Sequence, residues 1–120
     1  MTQNAVIIDG VFLFASVKNI YKINPISKTH IFYRRYFMIF RFFNTESHGY
    51  LVVQKKFLKT LGFKTSDFSE YSPLTRNHIL LEEDCDAPKF IKQVKKLNGF
   101  IHLEDHFIKD KYDLINRLGV

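Results

Sequence analysis

A single cysteine, Cys85, stands in the whole chain, so no internal disulfide and no multi-cysteine zinc site can form. Tryptophan is absent, and only three prolines and five glycines punctuate 120 residues. There is no glycine-rich phosphate loop, and no order of Ser, His and Asp that suggests a nucleophilic triad. Long apolar runs are also missing. The longest aromatic stretch, residues 31–43, is broken by Arg34, Arg35 and Arg41 and is too short for a membrane span. The N-terminus shows no basic region of the secretory type, and its apolar run carries Asp9. The expectation is a cytoplasmic protein without a membrane contact.

Acid is scarce in the first half. Residues 1–60 hold nine Lys/Arg against Asp9 and Glu46, giving +7, whereas residues 61–120 hold nine Lys/Arg against ten Asp/Glu, giving −1. A surplus confined to one half predicts a basic face. What is abundant is phenylalanine, at 13 residues, with six tyrosines. With 46% hydrophobic residues, the chain suits one domain over 1–120 with a small core, residues 1–29 being a candidate peripheral extension.

In chain order, Ala5-Val6-Ile7-Ile8 reads as a buried strand, and Asp9-Gly10 as a turn. Val11-Phe12-Leu13-Phe14-Ala15 either returns as a hairpin arm or opens a helix, and Asn24-Pro25 breaks what precedes it. Residues 38–43 are aromatic on both alternating faces and predict a central strand covered on both sides. After a turn, Tyr50-Leu51-Val52-Val53 pairs with it. Phe57, Leu58 and Leu61 define a short helix ended by Gly62. Residues 63–77 read as a loop held down by Phe68 and Tyr71.

His78 to Glu83 is a strand, and Asp86 is the expected N-cap of a helix over 87–97 with Pro88 in its first turn. Phe100 to Phe107 is a strand with Ile101, Leu103 and Phe107 on its apolar side and His102, Glu104 and His106 on the other. A last helix from about Asp110 buries Tyr112, Leu114, Ile115 and Leu118. The fold class is α+β: a small mixed sheet of four or five strands with three short helices.

Three constellations carry chemistry. Tyr33, Arg34, Arg35, Tyr36 and Arg41 pair aromatic rings with guanidinium groups, the combination that grips single-stranded nucleic acid or an acidic partner; the competing reading is a core strand with rim arginines. His48, Tyr50, Glu82, Glu83, Asp84 and Asp86 form a polar group whose carboxylates could take a hard cation. The plainer reading of the same acids is helix capping and dipole compensation. His102, Glu104 and His106 alternate on one strand face, as metal ligands can, although such residues more often form the solvated face of a half-buried sheet. Cys85 sits among carboxylates that raise its pKa and blunt its nucleophilicity.

Two stretches resemble known proteins. Ile7-Ile8-Asp9-Gly10-Val11-Phe12-Leu13-Phe14, within residues 5–14, resembles the first strand of NYN/PIN-like ribonucleases, which implies a metal-binding role for Asp9; Phe12 stands where those domains place Asn. His48-Gly49-Tyr50-Leu51, followed by Leu81-Glu82-Glu83-Asp84-Cys85-Asp86-Ala87, resembles small proteins of bacterial plasmids and phages, over residues 48–90. That resemblance implies an accessory protein of a mobile element, brings no activity with it, and implies that the His48 turn and the Glu82–Asp86 cluster lie close together.

The reading that follows is a non-enzymatic binding module for protein or nucleic acid, acting through the basic aromatic half and needing no cofactor and no metal. The alternatives are a metal-dependent nuclease built on Glu82–Asp86, and a structural or oligomeric interaction protein.

Overall fold

The computed structural model describes residues 4–15, 20–23 and 37–119. Its strands are β1 (Asn4–Ile8), β2 (Val11–Ala15), β3 (Ile20–Ile23), β4 (Phe37–Asn44), β5 (Gly49–Gln54), β6 (His78–Glu82) and β7 (His102–Phe107). Its helices are α1 (Lys55–Thr60), α2 (Ala87–Asn98) and α3 (Lys111–Leu118). The fold is α+β, with three helices and one mixed sheet. The sheet reaches seven strands because the N-terminal segment contributes a meander, β1-β2-β3, rather than a single strand.

Asp9-Gly10 closes the first hairpin as a two-residue turn, with φ +52° and +97°, the positive angles that match the twist of the flanking strands. Val11 onward therefore returns as β2. The turn tip also docks: a Cβ on Gly10 would come within 2.4 Å of the Phe57 Cβ, so only glycine lets this loop approach α1.

β4 is the central strand. Along one edge it pairs in parallel with β7, and the Asn44 carbonyl accepts from Ile108 on that side. Its other edge is shared by two partners end to end. β1 pairs in parallel with residues 37–39, and β5 antiparallel with residues 42–44. Between them the ladder forks, and Asp9 fills the fork. Its N–H donates to the Ile39 carbonyl (2.9 Å), and its carbonyl accepts from Gln54 N–H (2.7 Å). Its carboxylate accepts from Arg41 N–H (2.9 Å) and Arg41 Nε (2.5 Å).

The two faces of the sheet carry separate cores. Met38 and Phe40 of β4, Leu51 and Val53 of β5 and Ile79 and Leu81 of β6 pack under Phe57 and Leu58 of α1 and Phe90 and Val94 of α2. Phe40 anchors this layer, with ring centroids 5.8 Å from Phe57 and 5.3 Å from Phe90. On the opposite face Phe43, Tyr50, Val52 and Leu80 lie under Leu114 of α3. Phe68 reaches the first core.

Three aromatic residues depart from their expected burial. Tyr71, Tyr112 and Phe107 are 63%, 65% and 85% exposed. Their apolar patterning is sound, but no element of the described structure lies over them. In α3, Leu114 alone is fully buried, with Ile115 and Leu118 at its margin.

The fork makes Asp9 the most consequential polar residue of the fold. Asp9→Leu leaves a partly buried guanidinium and a strand N–H without partners, and is expected to cost about 2–4 kcal/mol. Asp9→Asn, which keeps the acceptor for Arg41 N–H, should cost clearly less. Urea denaturation of both variants checks the order; equal and negligible losses would show that the fork does not depend on this side chain.

Candidate functional site

Beyond the end of β4 the chain turns at residues 45–48. Thr45 organises the turn: its Oγ accepts from His48 N–H (3.0 Å) and Ser47 N–H (3.3 Å), and its N–H donates to the His48 carbonyl (2.8 Å). The chain then enters β5 through Gly49, whose carbonyl accepts from Glu83 N–H (3.0 Å). A Cβ at Gly49 would stand 2.5 Å from the Phe42 ring and 2.9 Å from Glu83 Oε2, so glycine lets the turn close onto the end of β6. The pairing of Tyr50 with Glu82 completes the junction.

Glu82 is 5% exposed. Its Oε2 accepts from Asp84 N–H and Cys85 N–H, both at 2.9 Å, and its Oε1 lies 3.4 Å from His48 Nδ1. Burial alone would raise its pKa, but the N–H donors of Cys85 and Asp84, with the Cys85 and His48 side chains, outweigh burial and hold it below the usual carboxylate range. Burial, then the charges of Glu82 and Glu83, push the Tyr50 hydroxyl up. The hydrogen bond to Glu82 and the surrounding carboxylates push the Cys85 thiol up as well, so it stays protonated.

Asp86 corrects the capping expectation. It occupies the position before α2, but its side chain makes no capping bond to that helix. Its Oδ2 instead accepts from Ser69 N–H (2.9 Å), Ser69 Oγ (2.7 Å) and Ser72 Oγ, and Ser72 Oγ in turn accepts from Glu82 N–H (3.0 Å). Asp86 therefore ties the 69–72 loop to the sheet, while Glu82 caps the turn leading into α2.

These residues floor a cleft of about 740 Å³, walled by the 45–48 turn, the 70–73 loop and residues 109–112. His48, Tyr50, Glu82 and Asp84 of the expected polar group line it; Glu83 stands beside His48, and Asp86 lies behind in the serine network. His48, Glu82 and Glu83 each present a ligand atom within 4.8 Å of the others, among the described residues the one group of three that could hold a metal ion. His106 and Glu104 do meet, at 2.7 Å, but His106 stacks on Phe43 with centroids 4.9 Å apart.

Sequence reading missed the cleft's other walls: Glu70, Tyr71, Lys109, Asp110, Lys111 and Tyr112. Nothing local marks them, since they arrive from segments far apart in the chain. Of the expected basic contact, Tyr33, Arg34, Arg35 and Tyr36 lie outside the described residues. Arg41 is described and is held by Asp9, both of whose carboxylate oxygens it occupies.

Among the described residues no helix is long and apolar enough to cross a membrane. Comparison with protein-family models, with curated proteins and with solved structures finds no match.

Because the pKa of Glu82 is lower in the folded chain than in the unfolded one, its contribution to stability is present above the ordinary glutamate value of ~4.3 and lost as pH falls through the lowered folded value. Glu82→Gln is expected to flatten the loss of stability in that acid window. Melting temperatures measured from neutral to acid pH check it; parallel curves for the two proteins would contradict the assignment.

Proposed function

We propose that the protein is a small non-enzymatic binding module that takes a positively charged segment of a partner protein into the cleft. The observation that carries this reading is the lining. Five carboxylates (Glu46, Glu70, Glu82, Asp84 and Asp110) face two lysines, with Tyr50, Tyr71 and Tyr112 among them. Carboxylates beside tyrosine faces suit Lys or Arg side chains and repel phosphates, which favours a protein segment over nucleic acid at this site. The basic, aromatic half would supply a second contact of opposite sign through Tyr33, Arg34, Arg35 and Tyr36. The resemblance of residues 48–90 to plasmid and phage proteins supports an accessory role on a mobile element.

The cleft reading is tested with a short Lys/Arg-rich peptide and an acidic peptide of equal length in titration calorimetry. The basic peptide should bind, less tightly as salt rises, and Glu70→Lys with Asp84→Lys, both at exposed positions, should weaken it by about tenfold or more. Unchanged affinity, or equal binding of the acidic peptide, overturns it.

One observation favours a second reading, a metal-dependent nuclease: the convergence of His48, Glu82 and Glu83. It predicts cleavage of RNA or DNA that requires Mg²⁺ or Mn²⁺ and is lost on Glu83→Gln. A folded sample inert towards both polymers in both metals removes it.

A further inference from the structure

A second cavity, of about 400 Å³, opens on the same sheet face and shares no residue with the cleft. Ile8, Asp9, Val11, Arg41, Gln54 and His78 line it. Beyond the Asp9–Arg41 pair, its polar side chains have few hydrogen-bond partners among the described residues. His78 Nδ1 is sealed from solvent with no hydrogen bond. The guanidinium of Arg41 engages Asp9 through Nε, is one-third exposed, and its two terminal amino groups make no hydrogen bond among the described residues. The Gln54 carboxamide likewise has none there, although its backbone N–H is held by the Asp9 carbonyl.

An unsatisfied buried polar atom is costly, and buried polar groups in folded proteins are nearly always paired. One such atom, His78 Nδ1, sits at this opening, beside a guanidinium and a carboxamide that are only partly buried. The Asp9 carboxylate is 4% exposed and both its oxygens already accept from Arg41, so it is poorly placed to take an incoming cation. The terminal guanidinium groups, by contrast, present two parallel donors, the geometry that grips a carboxylate or phosphate in bidentate fashion. Lys55 adds a further positive charge close enough to act on the His78 ring. Ile8 and Val11 supply an apolar wall, leaving room beside an oxyanion for an organic group.

We propose that this pocket binds a small organic oxyanion, a phosphomonoester or a carboxylate, held by the Arg41 terminal amino groups, the Gln54 amide and the His78 ring. An oxyanion there would replace solvent on the guanidinium and the carboxamide. Burial lowers the His78 pKa, with Arg41 and Lys55 acting in the same direction and Asp9 against them, so an added anion also favours the ring's protonated form.

The experiment is a thermal-shift and calorimetric titration of the full chain with phenyl phosphate, benzoate and inorganic phosphate. At least one should raise the melting temperature, since each would bind the folded chain alone. Phenyl phosphate against benzoate tells the phosphate class from the carboxylate class, and inorganic phosphate tells whether the apolar wall contributes. Two variants that leave the Asp9–Arg41 pair intact, His78→Phe and Gln54→Leu, should each weaken binding by about tenfold. Their melting temperatures without ligand show that they fold, and either one folded suffices. No shift with any of the three compounds, or affinity unchanged in the folded variants, overturns the proposal.

Discussion

The structure turns on a fork. β4 meets β1 and β5 on one edge, β1 along residues 37–39 and β5 along residues 42–44, and neither spans the stretch between. The gap opens opposite Arg41, whose N–H would otherwise face no acceptor. Asp9 closes it with its peptide N–H, its carbonyl and its carboxylate, all from one residue held at φ +52°. An aspartate tolerates that angle better than most residues, and the following Gly10 lets the turn rest against Phe57. Desolvation raises the Asp9 pKa, against the pull of Arg41, so the carboxylate is held at some electrostatic cost. The return is that the N-terminal hairpin joins the sheet through its turn as well as through its strands. Ile7, fully buried, then becomes part of the core under the helices rather than of a peripheral extension.

The same fork explains what a sequence can and cannot disclose. The central strand, the hairpin to β5, the glycine ends of α1 and α2 and the two-sided burial of β4 follow from local patterning, and they are there in the fold. Arg41 shows the limit. Counted as charge, it belongs to a basic face; in the fold its partner sits 32 positions earlier, and no spacing rule connects the two. Asp86 is a similar case. Its place before Pro88 is that of an N-cap, yet Ser69 and Ser72 compete for the carboxylate and win, because a buried carboxylate with three donors is better satisfied than one with a single backbone N–H. The exposed Tyr71, Tyr112 and Phe107 fail in the other direction. Apolar periodicity shows which side of an element could be covered, while coverage depends on a neighbour that periodicity does not contain.

The cleft was partly legible. His48 and the 82–86 carboxylates do come together at the ends of neighbouring strands, because the Thr45 turn and Gly49 bring the start of β5 against the end of β6. The tyrosines and lysines of the opposite wall were not legible, since α3 and the 70–73 loop are brought to the site by tertiary contacts such as the packing of Leu114 and the serine network of Asp86.

Register then separates the two polar sites. On one face of β5 and β6 the cross-strand pairs run Tyr50 with Glu82, Val52 with Leu80, and Gln54 with His78. The first pair belongs to the acidic cleft and the last to the Arg41 pocket, with the Val52–Leu80 pair between them sealed by Leu114. Four residues of extended strand span about 13 Å, longer than the ~8 Å screening length at physiological salt. An excess of acid at one end therefore does little, through the solvent, to the field at the other. The alternation of a β-strand puts both sites on one surface, and two fully buried side chains separate them. A chain of +6 in this way carries an acidic cleft and an arginine-lined pocket on the same sheet face.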